Sequence, residues 1–227
     1  MFRYPSSLVS LHIENNLLIN FDENSFSGQT SLELINFGRN RIEIIHEKLF
    51  HELINLFRLS LVNNQIREIK DKAFEQCVQL RFLDLSLNKL EELTKFTLYN
   101  LNQLEELKLQ HNNIKSIESG AFQAMHHLKQ LDLSHNSLHS VGQETFHGCR
   151  GLNTLKFHNS MLANIENGAF KSLSSLVHLD IGYNYLTSVK QWTQLELLSK
   201  LQARVATKIF KDFEGALCKE FIIANQY

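Results

Sequence analysis

Apolar and polar positions along this chain fit neither of the two simple periods. In LRFLDLSLNKL, residues 80–90, leucines fall at Leu80, Leu83, Leu85 and Leu90, with Asn88 among them. An amphipathic helix would set apolar residues at i, i+3, i+4 and i+7, and a half-buried strand would alternate. The segment does neither for long. Repetition supplies the rule, because LFRLSLVNNQI (56–66), LEELKLQHNNI (104–114) and LKQLDLSHNSL (128–138) share its spacing. The first leucines of the units are Leu8, Leu32, Leu56, Leu80, Leu104, Leu128, Leu152 and Leu176, always 24 residues apart and without an insertion.

Elementary geometry explains one unit. The centre is a short strand, so Leu83 and Leu85 face one way and Phe82, Asp84 and Ser86 the other. Asn88 stands where the chain leaves the strand, and an amide that both donates and accepts can satisfy the backbone of that bend. Stacked units predict an asparagine ladder of Asn16, Asn40, Asn64, Asn88, Asn112, Asn136 and Asn184. Phe26, Phe50, Phe74, Phe122, Phe146 and Phe170 form a second column, with Leu98 in the fourth unit. The ladder breaks once, at Ser160. A hydroxyl reaches less far than an amide, so the stack is expected to be weakest, or bent, there.

The pattern L-x-x-L-x-L-x-x-N-x-L is identified as the leucine-rich-repeat signature. Residues 8–190 resemble eight such repeats. The phenylalanine column resembles the spine of the 24-residue class common in Toll-like receptor ectodomains and in secreted insect leucine-rich-repeat immune proteins. The resemblance implies an α/β repeat solenoid, a curved horseshoe with a parallel sheet on its concave face. It also implies a non-enzymatic module that binds a protein, extracellular or on the cell surface, within a larger receptor ectodomain or a secreted immune or adhesion protein. An intracellular scaffold of the same fold is the alternative.

Both ends depart from the repeat. Phe2 precedes Phe26 by one period, so residues 1–7 read as the tail of an earlier repeat and the chain as a fragment of a longer protein. Over residues 191–227 the phase is lost. Leu198, Leu201, Val205, Ile209 and Phe213 fall on one helical stripe, which predicts a helical C-terminal cap. The row Lys200, Arg204 and Lys208 beside it reads as a solvated face in preference to a membrane or partner helix.

Composition narrows function. The net charge is −1 over 227 residues, which gives no reason to expect a nucleic-acid partner. No apolar run reaches the length of a membrane span, and MFRYPSSLVSLHI has no secretory h-region. Cys77 and Cys149 each follow a spine phenylalanine by three residues, where other repeats hold leucine or methionine, so they are expected to be buried thiols. Cys218 has no evident partner, and no N-x-S/T sequon occurs. HEKLFH, 46–51, misplaces the second histidine of a zinc-protease motif, with Phe50 of the spine in its position. No catalytic, cofactor or metal residue is assigned. His111 and His135 share a position in adjacent repeats, about 5 Å apart, with His158 and His178 further along. A metal site or pH switch stands against the plainer reading of a family S-H-N turn.

A surface remains. Outward residues of the strand and of the following bend, including Gly38, Ser86, Ser134 and Gly182, are expected to line the concave face. Leu34, Val62, Phe82 and Leu87 are apolar where solvent is expected, with Arg39 and Arg58 beside them. With Tyr183 they are the candidate partner-binding residues. Homo- and hetero-oligomers both remain open.

Overall fold

The computed structural model describes residues 7–187. Eight three-residue strands form one parallel sheet: β1 (Ser10–His12), β2 (Leu34–Asn36), β4 (Arg58–Ser60), β6 (Phe82–Asp84), β8 (Glu106–Lys108), β10 (Gln130–Asp132), β12 (Thr154–Lys156) and β14 (His178–Asp180). Each strand pairs with its neighbours in that series, and the inward residues stay level from coil to coil: Ile35 meets Leu59, and Leu59 meets Leu83. On the far side the coils join by two-residue strands, β3 (Ile44–Ile45) with β5 (Glu68–Ile69), β7 (Glu92–Leu93) with β9 (Ser116–Ile117), and β11 (Ser140–Val141) with β13 (Asn164–Ile165). Turns supply the rest, and no helix occurs among the described residues. The helical cap expected over 191–227 and the repeat tail expected over 1–7 lie outside the described residues, apart from Ser7. The architecture is a parallel-sheet leucine-rich-repeat solenoid.

One continuous core runs along the axis, because the apolar face of each coil is covered only by its neighbours. Leu59, Leu83, Leu107 and Leu131 are buried in it, as are Phe26, Phe50, Phe74, Phe122 and Phe146 of the spine, while Phe170 is half-buried. Cys77 and Cys149 are free and buried, and burial pushes both thiols up to about 12. The Cys77 thiol donates to the Phe50 carbonyl at 3.9 Å. Neither thiol is a nucleophile at neutral pH.

Asparagines stitch the coils together. Asn88 Nδ2 donates to the carbonyls of Leu61 (3.0 Å), Leu85 (3.0 Å) and Ser86 (3.1 Å), and its Oδ1 accepts from Ile66 N–H at 3.0 Å. Asn40, Asn64, Asn112, Asn136 and Asn184 each tie their own coil to the preceding one in this manner. Asn16 is exposed and donates only within its own turn, to the Ile13 and Glu14 carbonyls.

At Ser160 the hydroxyl still donates to Leu133 O at 2.9 Å. It does not accept from Leu138 N–H, whose counterparts Ile114 and Leu162 donate to Asn136 and Asn184. Ser137 and Tyr185 donate their N–H to the carbonyls of Ile114 and Leu162, and no such bond joins Met161 to Leu138. Both backbone groups of buried Leu138 thus lose the partners that other junctions supply. Met161 takes φ +61°, a second left-handed residue beside Asn159, and Ser160 N–H turns to Asn184 Oδ1 at 2.9 Å. The junction between the sixth and seventh coils is therefore under-bonded, with a local change of backbone at Met161, while the strand register across it stays regular. Ser160→Asn is expected to restore the Leu138 bond and raise stability by roughly 1 kcal/mol. Urea denaturation checks it: an unchanged or lower midpoint would mean that the Leu138 groups cost nothing as they stand.

Candidate interaction surface

Each outward row on the sheet is built by the 24-residue register. Row three places Leu34, Arg58 and Phe82 side by side on β2, β4 and β6. Leu34 and Phe82 are half-buried, and Arg58 is exposed. The Arg58 guanidinium lies 4.1 Å from the Phe82 ring centre. Phe57, one residue before β4, packs its ring 5.3 Å from Phe82 and is 39% exposed. Arg81 sits over Phe57 at 5.5 Å and reaches Glu105 at 2.9 Å, and Glu105 is also bonded to Lys129. The hydrogen bond from Lys129, helped by Arg81, holds the Glu105 carboxyl below its usual range. The result is an open patch of two aromatic rings and two guanidiniums. Phe57 and Arg81 were not among the sequence candidates. Their signal was available: an aromatic in the place before a strand, one period from Arg81 and beside Phe82.

The bend after each strand forms a second column. Asn15, Arg39, Asn63, Leu87, His111, His135, Asn159 and Tyr183 all adopt φ between +51° and +59°. Asparagine tolerates that region, whereas a leucine there is strained. Leu87 is nevertheless 46% exposed, so the strain is not offset by burial. Arg39 is exposed, with Nη1 3.5 Å from Asn15 Oδ1, and half-buried Val62 lies against Gly38, where an added Cβ would meet Val62 Cγ1 at 2.9 Å. Tyr183 is far from these residues along the sheet and joins the histidines instead, its ring 4.6 Å from that of His158.

The expectation that Gly38, Ser86, Ser134 and Gly182 line the open face is corrected, because all four are buried. The chain curls inward there. Asn36, Asp84, Asp132 and Asp180 accept from the N–H of those four residues, each at 3.0 Å. Such turns need a small residue at the closing position.

His111 and His135 stack face to face, with centroids 4.2 Å apart and planes 7° apart, and His135 meets His158 at 5.8 Å. Parallel rings point their nitrogens side by side and not toward one ion. Among the described residues, no set of three or more His, Cys, Asp or Glu side chains is placed to hold a metal. His46 and His51 flank Phe50, which is buried in the spine and stacked 5.5 Å from Phe74.

A leucine-rich-repeat family profile matches residues 6–66, 54–114, 102–162 and 150–204. The chain belongs to the leucine-rich-repeat family, which is generally a non-enzymatic interaction scaffold. Two solved structures resemble it. TLR13, in a complex with ssRNA13, superposes with a TM-score of 0.78 at 28% identity, over 83% of this chain and 26% of that one. The Leptospira interrogans leucine-rich-repeat protein LIC12759 superposes with a TM-score of 0.73 at 26% identity, over 86% of this chain and 48% of that one. The chain thus spans about a quarter and about half of these two proteins. No curated protein matches its sequence. No helix among the described residues is long and apolar enough to cross a membrane.

Proposed function

We propose that this chain is a non-enzymatic recognition module that binds a protein partner through its concave face, within a larger receptor ectodomain or a secreted immune or adhesion protein. The observation that carries the reading is the Phe57–Phe82 pair with Arg58 laid over it, an aromatic and guanidinium cluster left open on a sheet whose other rows are polar. Aromatic and arginine anchors dominate the energetics of protein interfaces. Leu87 supports it from the neighbouring column, since strain kept at an exposed apolar residue clusters at functional positions. The likeness to TLR13 supports the receptor setting. An intracellular scaffold is the second reading, favoured by the two free thiols and the missing sequons.

Partners would be captured on the immobilised chain, identified by mass spectrometry and measured as purified pairs. Phe82→Glu is expected to weaken binding about tenfold or more, as loss of an anchor does, with the circular-dichroism spectrum unchanged. Leu87→Asn is expected to weaken binding while raising stability by about 1 kcal/mol, because asparagine relieves the left-handed strain. Wild-type affinity in both variants would sink the assignment. The full coding sequence separates the two settings: a signal peptide and a cysteine-flanked cap for the first, an uninterrupted cytosolic frame for the second.

A further inference from the structure

We propose that the edge formed by His111, His135 and His158 is a proton-gated docking site for an acidic segment of a protein partner, engaged as the pH falls below neutral and released above it. It begins one coil beyond Phe82, on the bends and not on the sheet, and does not depend on the reading of that patch.

Geometry comes first. The left-handed bends at His111 (φ +58°) and His135 (φ +56°) send both side chains the same way, which produces the 4.2 Å stack. His111 is exposed and the other two are half-buried, so the column is open to a ligand. Asn159 Nδ2 lies 3.2 Å from His135 Nδ1. That amide serves either protonation state, donating to a neutral ring or, turned over, accepting from a charged one.

Charge comes second. The groups facing the column from the sheet are Lys108 with Glu106 at 3.0 Å, Lys156 with Asp132 at 3.6 Å, and Asp180, 3.4 Å from His158 Nδ1, with His178 beside it on β14. With neutral histidines the carboxylates outnumber the lysines. Protonation of His111, His135 and His158 adds three charges and reverses the sign of the edge. Stacked imidazoliums repel one another, so the free protein resists this change. Loss of hydration, then the charges of His111 and His158, holds the His135 pKa below its ordinary value, with Asp132 pulling the other way.

A carboxylate laid across the column would cancel that repulsion and favour the protonated rings in the complex. Binding then takes up protons, and affinity rises as pH falls. The same sign makes the unliganded fold lose stability in acid, because the unfolded chain protonates His135 more readily than the folded one. The sheet row Lys108, Asp132, Lys156 and Asp180 alternates in sign, which opposes a ligand charged at every unit. A peptide with carboxylates at alternate positions avoids that opposition, which favours an acidic protein segment over a nucleic acid.

The test uses the full chain and a fluorescein-labelled peptide of alternating aspartate and glycine, read by fluorescence anisotropy at low salt. Aspartates stay ionised at both conditions, about pH 5.5 and about pH 7.5. Binding is expected to be about tenfold tighter at the lower pH and to weaken with added salt. The double variant His111→Asn/His135→Asn, whose residues accept the left-handed bend, should lose most of the pH dependence while melting normally at the higher pH. The uncharged variant Phe57→Ala, two coils before His111, should keep it, which separates this site from the aromatic patch. Binding that does not change with pH, or a double variant that keeps the change, overturns the proposal. So does an oligouridine probe that shows the dependence when the peptide does not.

Discussion

Asn112→Ala is expected to cost about 1–3 kcal/mol, since it leaves the buried Leu90 N–H unpaired and removes one of the two amide donors from each of the Leu85 and Leu109 carbonyls. Asn112 Nδ2 donates to Leu85 O and Leu109 O, both at 3.0 Å, and its Oδ1 accepts from Leu90 N–H at 3.0 Å. All three belong to the bends that hold the fourth and fifth coils together, and each of those residues is buried. Alanine offers nothing to any of them; Leu85 O keeps Asn88 Nδ2 and Leu109 O keeps Asn136 Nδ2, each at 3.0 Å, so the Leu90 N–H carries the loss. Repeat seven carries the milder version of the experiment: Ser160 keeps one donated bond across the coil junction and gives up the rest. Asn112→Ser should therefore fall between alanine and wild type. In a solenoid the damage stays between neighbours, so urea unfolding followed by circular dichroism should split into two transitions or broaden. A loss below about 1 kcal/mol for the alanine variant would mean that the ladder contributes only what an ordinary exposed hydrogen bond does.

Asparagine and leucine positions were legible in the sequence because a stacked coil leaves no freedom in phase. Once Leu83 and Leu85 are set inward, the 24-residue step places Leu59 and Leu107 beside Leu83, and the register of eight strands follows. The site was legible only in part, and the reasons are local. Phe82 reads as outward from alternation alone. That Phe57 shares its patch depends on the approach of two rings one period apart, which no period within a strand reports. The bend residues were misread for a related reason. Outward alternation continues past Asp84 to Ser86 on paper, but the Asp84 carboxylate accepts from Ser86 N–H and curls the chain inward before Ser86 can reach the surface. The left-handed strain at Leu87 and Met161 is invisible in residue type, because nothing marks a leucine or methionine as out of place until the backbone is traced.

Phe146→Ala is the other large expected effect, about 3–5 kcal/mol for deleting a fully buried aromatic ring. Phe146 sits mid-spine, 6.0 Å from Phe122 on one side and 6.0 Å from Phe170 on the other, with Phe157 edge-on at 5.8 Å. It is fully buried, and the coil it fills is flanked by the junction already weakened at Leu138. The solenoid has no third layer to collapse into the space, so the cavity should persist and the loss lie toward the upper end of that range. The chain contains its own control in Leu98, which holds the spine position of the fourth coil and is buried there. Phe146→Leu should accordingly cost clearly less than Phe146→Ala, because leucine already serves at this phase without interrupting the stack. Guanidinium titrations of the two variants decide it. Equal losses would show that aromatic contact between coils, and not filled volume, is what the spine supplies. A loss for Phe146→Ala under about 1.5 kcal/mol, the size of a tolerated core swap, would show that the neighbouring coils close over the gap.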